Sequence, residues 1–261
     1  MPKSGQLYDR HVLQRSTLLR EFWALGEPLV AGTSVWPSLE QYTEFAERER
    51  RTRAPDLAEV RFAPFTARRR PRRRGALDLG ELYDGKIVML GQVPCLESSY
   101  HDLFNALVWA AFPRSKRALH LRQFRALQRW LPAGASRLPN RRTREQDALT
   151  LFDEGGAVLI ATGARESLSS RVVPFGHAVM EHVCFQREAV RSAAVWLDLP
   201  SEPRAEGGER GLLEAIDREL SRRLLDPAEF STPDFDAVVT FEPPDAWHLT
   251  VDAPLSKAAS E

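Results

Sequence analysis

The sequence predicts a single α+β domain in which helices pack on a small antiparallel sheet. The chain has 261 residues, of which 43% are hydrophobic, so it can bury one substantial core. Apolar residues recur at helical spacing in several segments, and this pattern predicts amphipathic helices. Short β-rich runs, bounded by glycine or proline, lie between those segments and predict strands.

Charge is unevenly distributed along the chain, although its formal net charge is 0. Residues 48–74 carry 11 arginines and 3 acidic residues, whereas residues 198–261 carry 15 acidic and 6 basic residues. Prolines in the basic stretch disfavour a long helix there. We therefore expect four parts: an N-terminal helical extension (1–54), an Arg-rich linker or arm (55–80), an α+β core (81–226) and an acidic irregular tail (227–261).

Cysteine content and hydropathy indicate the compartment. Cys95 and Cys184 lie far apart and outside any CxxC pattern, which argues against a disulfide framework and against a thiolate zinc site. The first residues, Met1 to His11, contain no apolar signal core, and no window reaches the roughly 18 apolar residues of a spanning helix. The sequence thus predicts a soluble cytoplasmic protein without a membrane partner.

The elements predicted before residue 100 are two helices and a strand. A loose helical period covers Gln6 to Leu25 and ends at Gly26, and a short charged helix covers Leu39 to Arg53. The apolar run from Lys86 to Gly91 is stopped by glycine and then by Pro94, which predicts a strand.

A central apolar helix is predicted from Tyr100 to Phe112. Ser99 stands three residues before Asp102, the spacing of a capping box, and Pro113 interrupts the helix. Ser115 is placed to cap an amphipathic continuation that ends before Pro132.

The segment after residue 146 predicts a hairpin followed by alternating elements. Two strand-like runs, Asp147–Glu154 and Ala157–Thr162, flank Gly155-Gly156, a pair typical of a two-residue β-turn. Pro174 is suited to the first turn of a helix that continues to Phe185. Further elements are a strand at Ala193–Asp198, a helix at Leu212–Leu225 and a short strand at Ala237–Phe241.

Polar residues inside the central helix mark the first candidate site. His101 and Asn105 are one turn apart and share a face that otherwise looks apolar, so they need partners. Two interpretations remain open for each: His101 is a site residue or a satisfied core histidine, and Asn105 contacts substrate or ties the helix into a buried network. Asp102 most simply caps the helix N-terminus.

A second candidate is the pair formed by His177 and Glu181. Their spacing places both on one helical face, where they can offer two metal ligands or couple a base with its orienting carboxylate. The alternative is that His177 and Glu181 form a hydrogen-bonded pair on the surface of a helix and have no role in a site. In the predicted hairpin, Asp153 and Glu154 are most simply solvated residues beside the turn, and Asp147 is the better functional candidate because it begins a strand.

Several of these motifs resemble a bacterial family catalogued as domain of unknown function 3025. The resemblance runs from about Tyr83 to Phe185 and is carried by Gly91-Gln-Val-Pro94, by Tyr100 to Arg114, by Asp147 to Gly156 and by Phe175-Gly-His-Ala178. The resemblance implies no activity. It does place His101, Asp102, Asn105, Asp147 and His177 in shared segments, which favours one common site.

Two functions follow as expectations. The first is a hydrolase-like enzyme in which His101, His177 and Glu181 act in catalysis or hold a divalent metal, Asn105 and Asp147 assist, and Arg114 and Lys116 attract an anionic substrate. The second is a non-catalytic adaptor that binds RNA, DNA or an acidic protein through the Arg-rich segment from Arg48 to Arg74, within which Arg68 to Arg74 is the expected nucleic-acid contact. No P-loop, GxGxxG or GxSxG motif supports a nucleotide cofactor or a serine hydrolase.

Overall fold

The molecule is built around one buried apolar helix, the predicted central one. The computed structural model describes residues 7–32, 34–66, 76–161, 171–185, 188–199, 208–232, 235–242 and 250–252. Within these residues the α+β class is confirmed. The helices are α1 (Arg20–Val30), α2 (Leu39–Arg53), α3 (Tyr83–Leu90), α4 (Tyr100–Ala111), α5 (Pro113–Trp130), α6 (Arg144–Gly155), α7 (His177–Phe185) and α8 (Gly208–Leu225).

The described strands form two sheets. The larger has the order β4-β3-β5-β6-β7 and is mixed rather than wholly antiparallel, because β3 and β5 run parallel. The smaller consists of β1 and β2, also parallel. The strands are β1 (Arg61–Pro64), β2 (Gln92–Cys95), β3 (Gly156–Ala161), β4 (Arg171–Pro174), β5 (Val190–Asp198), β6 (Ala237–Phe241) and β7 (Thr250–Asp252).

Helix α4 lies in the core because all of its apolar side chains are buried, including Leu103, Phe104 and Leu107 at 0% exposure. Helices α1, α2, α5 and α7 contact it, and one apolar cluster joins residues from the N-terminal region with residues of α8. Ser99 caps α4 by accepting a hydrogen bond from the Asp102 amide, as predicted. This burial fixes the direction in which the polar residues of α4 project.

The predicted Gly-Gly hairpin is wrong, because residues 147–154 belong to helix α6. A capping box between Thr143 and Gln146 starts this helix, and the buried side chains of Ala148, Leu149, Phe152 and Asp153 follow a helical stripe. Gly155-Gly156 is therefore a junction between helix and strand. A side chain at Gly156 would meet the Phe152 carbonyl oxygen at 2.3 Å.

The structure corrects three boundaries near the site. Residues 86–90 belong to α3 rather than to a strand, and Gly91 ends that helix with φ of +62°. Pro174 ends strand β4, and α7 begins only at His177. Ser115 is not the cap of α5, which starts at Pro113 and whose first amides donate to Asp217 instead.

The N-terminal prediction also needs correction. Residues Val12–Arg15 and Thr17–Leu19 form two short 3-10 turns, and α1 continues through Gly26 and Pro28. The helix over Leu39–Arg53 is confirmed. The strand at Ala193–Asp198, the helix at Leu212–Leu225 and the strand at Ala237–Phe241 are confirmed within β5, α8 and β6.

Candidate functional site

Helices α4 and α7 bring two histidines together. His101 lies in the first turn of α4 and His177 is the first residue of α7, and their Nε2 atoms are 3.0 Å apart. Their rings meet edge to face with centroids 4.3 Å apart. At this distance one Nε2 carries a proton that the other accepts, so a metal bound to both nitrogens would replace that proton.

A carboxylate completes this group from a third element. Glu154, in the last turn of α6, places its Oε2 atom 3.4 Å from His177 Nε2 and 4.0 Å from His101 Nε2. Glu181, one turn along α7, has its Oε2 atom 3.7 Å from His101 Nδ1. We call His101, Glu154 and His177 the histidine cluster.

Burial and charge set the protonation of the histidine cluster. Burial lowers the pKa of His177 to about 3, with the charge of Lys116 adding to that effect. The Glu181 carboxylate raises the pKa of His101. Burial raises the pKa of Glu154, and the neighbouring Asp153 charge acts in the same direction. His177 is therefore neutral at ordinary pH, the form in which imidazole binds a metal.

An ion pair lies beneath the histidine cluster and anchors α5 to α6. Lys116 Nζ is 2.5 Å from Asp153 Oδ1, and the lysine is completely buried. Burial alone would raise the pKa of Asp153, but the adjacent Lys116 ammonium group holds it below its usual range. This pair fixes the C-terminal turn of α6 and therefore the position of Glu154.

The histidine cluster faces a cavity of about 350 Å³. On another part of the wall, His120 Nδ1 lies 2.9 Å from Asp84 Oδ1, and the His120 ring stacks on Trp109 at an interplanar angle of 10°. The cavity is lined by Phe65, Tyr83, Asp84, Pro94, Leu96, His101, Asp102, Asn105, His120, Gln123, Arg142, Thr150, Asp153, Glu154 and His177.

The predicted residues divide between this cavity and the rest of the molecule. His101, Asn105 and His177 line the cavity, and Glu181 contacts the outer nitrogen of His101. Asp147 is exposed in the first turn of α6 and does not line the cavity. Its predicted strand position is wrong, so the reason for choosing it no longer applies.

The two predicted substrate-binding residues, Arg114 and Lys116, are occupied by other partners. Arg114 forms a two-bonded ion pair with Asp56, at 2.6 and 2.8 Å, and Lys116 is neutralised by Asp153. Neither lines the cavity. Their role in binding an anionic substrate stays a prediction without a contact to support it.

Sequence reasoning missed three of the residues that define the cavity. Glu154 was assigned to a solvated turn, but it lies half exposed against both histidines. Asp84 and His120 were not selected, because 36 residues separate them and no short motif links them. The capping box at Thr143 was the available signal for Glu154, since it predicts that α6 is a helix.

Three ligand atoms in the histidine cluster have the arrangement of a metal site. His101, Glu154 and His177 each offer one atom, and these atoms all lie within 4.8 Å of one another. Ligands about 2.0–2.2 Å from a tetrahedral zinc ion are separated by roughly 3.4 Å. The observed separations of 3.0, 3.4 and 4.0 Å bracket that value, so the three atoms could hold one ion after small side-chain movements.

Other predictions fall partly outside the described residues. The basic run from Arg68 to Arg74 is not among them, so the adaptor hypothesis has no structural observation for or against it.

Both cysteines are free thiols. Among the described helices, none has the length and apolar character needed to cross a membrane.

Comparison with known proteins agrees with the resemblance over part of the chain. The protein-family model described as "Protein of unknown function (DUF3025)" matches residues 73–169, which confirms the resemblance for that segment. The match includes His101 and Glu154 but ends before His177. No curated protein and no solved structure matches the chain.

Proposed function

We propose that this protein is a metal-dependent, hydrolase-like enzyme whose centre is the histidine cluster. The single observation that carries the proposal is the convergence of two histidine Nε2 atoms and one carboxylate oxygen, from three separate helices, on the wall of one cavity. Three protein ligands with a fourth position left for water or substrate are typical of catalytic zinc.

The surroundings of the histidine cluster support ligand binding rather than structural packing. A structural zinc site is closed by four protein ligands, whereas the described residues supply three. Glu181 lies beside the outer nitrogen of His101, where an acidic partner orients an imidazole ligand. The low pKa of His177 keeps its Nε2 lone pair available at neutral pH.

The chain's own groups divide the chemistry between them. A divalent metal at this centre would activate water and polarise a substrate carbonyl. His101 and His177 would hold it through Nε2, and Glu154 would hold it through Oε2. Glu181 would keep the proton of His101 on Nδ1. The cavity lies in front of this set and admits a small molecule.

The test is a zinc titration of chelator-treated protein by calorimetry, with metal content measured in parallel. We expect one zinc per chain. His177→Ala and Glu154→Gln should each weaken binding by more than the roughly 10- to 100-fold that loss of an outer partner costs. His182→Ala is the matched control on the same helix and should leave the affinity unchanged.

Hydrolytic activity is measured with small esters and amides as substrates. Turnover should rise with zinc occupancy and disappear in His177→Ala. Zinc uptake equal in wild type and His177→Ala, or no uptake at all, would contradict the proposal.

A further inference from the structure

In three cavity-lining residues a buried polar atom has no hydrogen-bond partner within the described part of the chain. One is Nδ1 of His177, in the histidine cluster, and the other two are Oδ1 of Asn105 and Nε2 of His120. Asn105 and His120 are only 1% exposed. A buried polar atom without a partner costs free energy, so such atoms in a cavity wall point to a ligand that supplies the missing hydrogen bonds.

In the neutral ring, Nε2 of His120 is a hydrogen-bond acceptor. The Nδ1 atom lies 2.9 Å from the Asp84 carboxylate, which accepts only, so Nδ1 carries a proton, and the neutral ring then has its lone pair on Nε2. The Gln123 amide nitrogen, in the orientation that satisfies its surroundings, donates to both Asp84 oxygens at 3.2 and 3.3 Å. Trp109 stacks on the ring and prevents it from turning. The lone pair of Nε2 is therefore held in one direction.

Asn105 offers a second acceptor beside the histidine cluster. Its Oδ1 atom is buried and has no hydrogen-bond partner within the described residues, so this acceptor is left unused by the protein. Asn105 stands one helical turn after His101, so their Cβ atoms are about 5–6 Å apart. This distance suits a small planar group that reaches from the metal centre to Asn105.

We infer that the cavity recognises a primary carboxamide, with its carbonyl oxygen toward the histidine cluster and its two N–H groups on Asn105 Oδ1 and His120 Nε2. The inference rests on the proposed metal centre. A carboxamide has one acceptor and two donors on one planar group, which matches one metal and two acceptors. An anion fits less well. Apart from Asp153, which Lys116 neutralises, the lining carries three carboxylates, Asp84, Asp102 and Glu154, and one arginine, Arg142.

The corresponding reaction is hydrolysis of the carboxamide to a carboxylate and ammonium. The oxygen of water forms the new C–O bond as the C–N bond breaks, and both protons of water leave with the nitrogen. No oxidant or further reactant is needed.

The test compares matched probes on the zinc-loaded full chain by ligand-observed NMR titration. Benzamide carries both N–H groups, and N,N-dimethylbenzamide keeps the carbonyl but has neither. We expect benzamide to bind at least tenfold more tightly, since one hydrogen bond is worth about that factor. Asn105→Leu should reduce this preference severalfold without changing zinc affinity. Asn140→Leu, on an exposed loop, should leave both unchanged.

The outcomes separate this inference from the proposed function. Equal affinity for the two probes on a protein that binds one zinc would overturn the carboxamide inference and leave the metal centre intact. Failure to bind zinc would overturn both. The comparison of the two probes on the wild-type protein needs no substitution. It therefore tests the carboxamide inference even if Asn105→Leu does not fold.

Discussion

Asp153 and Glu154 are adjacent acids with opposite environments. The Asp153 side chain is 9% exposed and lies 2.5 Å from the ammonium group of a completely buried lysine, Lys116. The Glu154 side chain is 46% exposed and faces two histidines at 3.4 and 4.0 Å. The first acid is sealed with its partner, whereas the second is held at a cavity wall with distances too long for closed hydrogen bonds.

The two neighbouring residues therefore have different roles on one turn of α6. Asp153 anchors the helix, and Glu154 is available to a ligand. A sealed, neutralised pair holds α6 against α5 and admits no ligand. Under the proposed function, the histidine cluster at the cavity wall contributes little to folding and binds an ion. Substitutions at the two positions should therefore change different properties, stability at one and metal affinity at the other.

The largest effect is expected when the sealed pair is broken. Lys116→Met leaves the Asp153 charge buried and unpaired, which should lower the free energy of unfolding by about 3–5 kcal/mol. Glu154→Gln should lower it by less than about 1 kcal/mol in metal-free protein. Urea denaturation with a chelator present measures both.

The double substitution Lys116→Met/Asp153→Leu is the control for that experiment. It removes both charges and should recover most of the stability lost in Lys116→Met. If Glu154→Gln proved as destabilising as Lys116→Met, the distinction between the sealed and the open acid would be lost.

A third acid, Asp217, is buried and hydrogen-bonded to backbone amides, and its titration predicts a pH effect. Its carboxylate accepts hydrogen bonds from the amides of Arg114 and Ser115, and burial raises its pKa to about 6. The folded state thus holds this proton more tightly than the unfolded state, whose pKa is about 4. Its contribution to stability is present below pH 4 and is lost as pH rises through 6.

A difference of roughly two pH units between the folded and unfolded pKa corresponds to about 3 kcal/mol. Asp217→Asn should remove this decline between pH 4 and 6. Denaturation curves of wild type and variant across that range give the comparison, and parallel curves would show that Asp217 does not titrate there.

The junction that positions Glu154 predicts a smaller, steric effect. A Cβ at Gly156 would lie 2.3 Å from the Phe152 carbonyl, so Gly156→Ala should cost about 1–3 kcal/mol. A Cβ at Gly155 would have Val179 as its nearest neighbour, at 4.0 Å, and alanine favours a helix over glycine. Gly155→Ala should be neutral or slightly stabilising. Melting temperatures of the pair test this, and equal losses would refute the steric reason.

The smallest expected effect on the fold comes from the basic run. Changing six arginines to glutamine should alter stability by no more than about 0.5 kcal/mol and leave zinc affinity unchanged. If the adaptor hypothesis holds, the same change removes a salt-sensitive affinity for RNA or duplex DNA. Wild type that binds neither at low salt would exclude nucleic-acid binding. The arginines are Arg68, Arg69, Arg70, Arg72, Arg73 and Arg74.

The central helix and part of the candidate site could be predicted because local signals agree there. Ser99 at capping distance, an unbroken apolar stretch and Pro113 define α4, and two polar residues inside it required partners. The hairpin was predicted wrongly because glycine pairs also serve helix–strand junctions. The apolar residues of 148–152 fit the period of a strand as well as that of a helix. The capping box at Thr143 is the sequence feature that distinguishes the two.

The rest of the site depends on contacts between distant segments. His120 meets Asp84 across 36 residues, and Lys116 meets Asp153 across 37. No spacing rule links such pairs, because their proximity results from how α3, α5 and α6 pack together. Sequence therefore indicated which residues need partners and could not name the partners.

The central claim is that the histidine cluster holds a metal, and X-ray absorption spectroscopy of the zinc-loaded protein tests it most directly. We predict a four-coordinate zinc with two imidazole nitrogens at about 2.0–2.1 Å and oxygen ligands at about 2.0–2.2 Å. His101→Ala should lose one imidazole. A zinc shell with no imidazole, or a spectrum unchanged by His101→Ala, would contradict the claim.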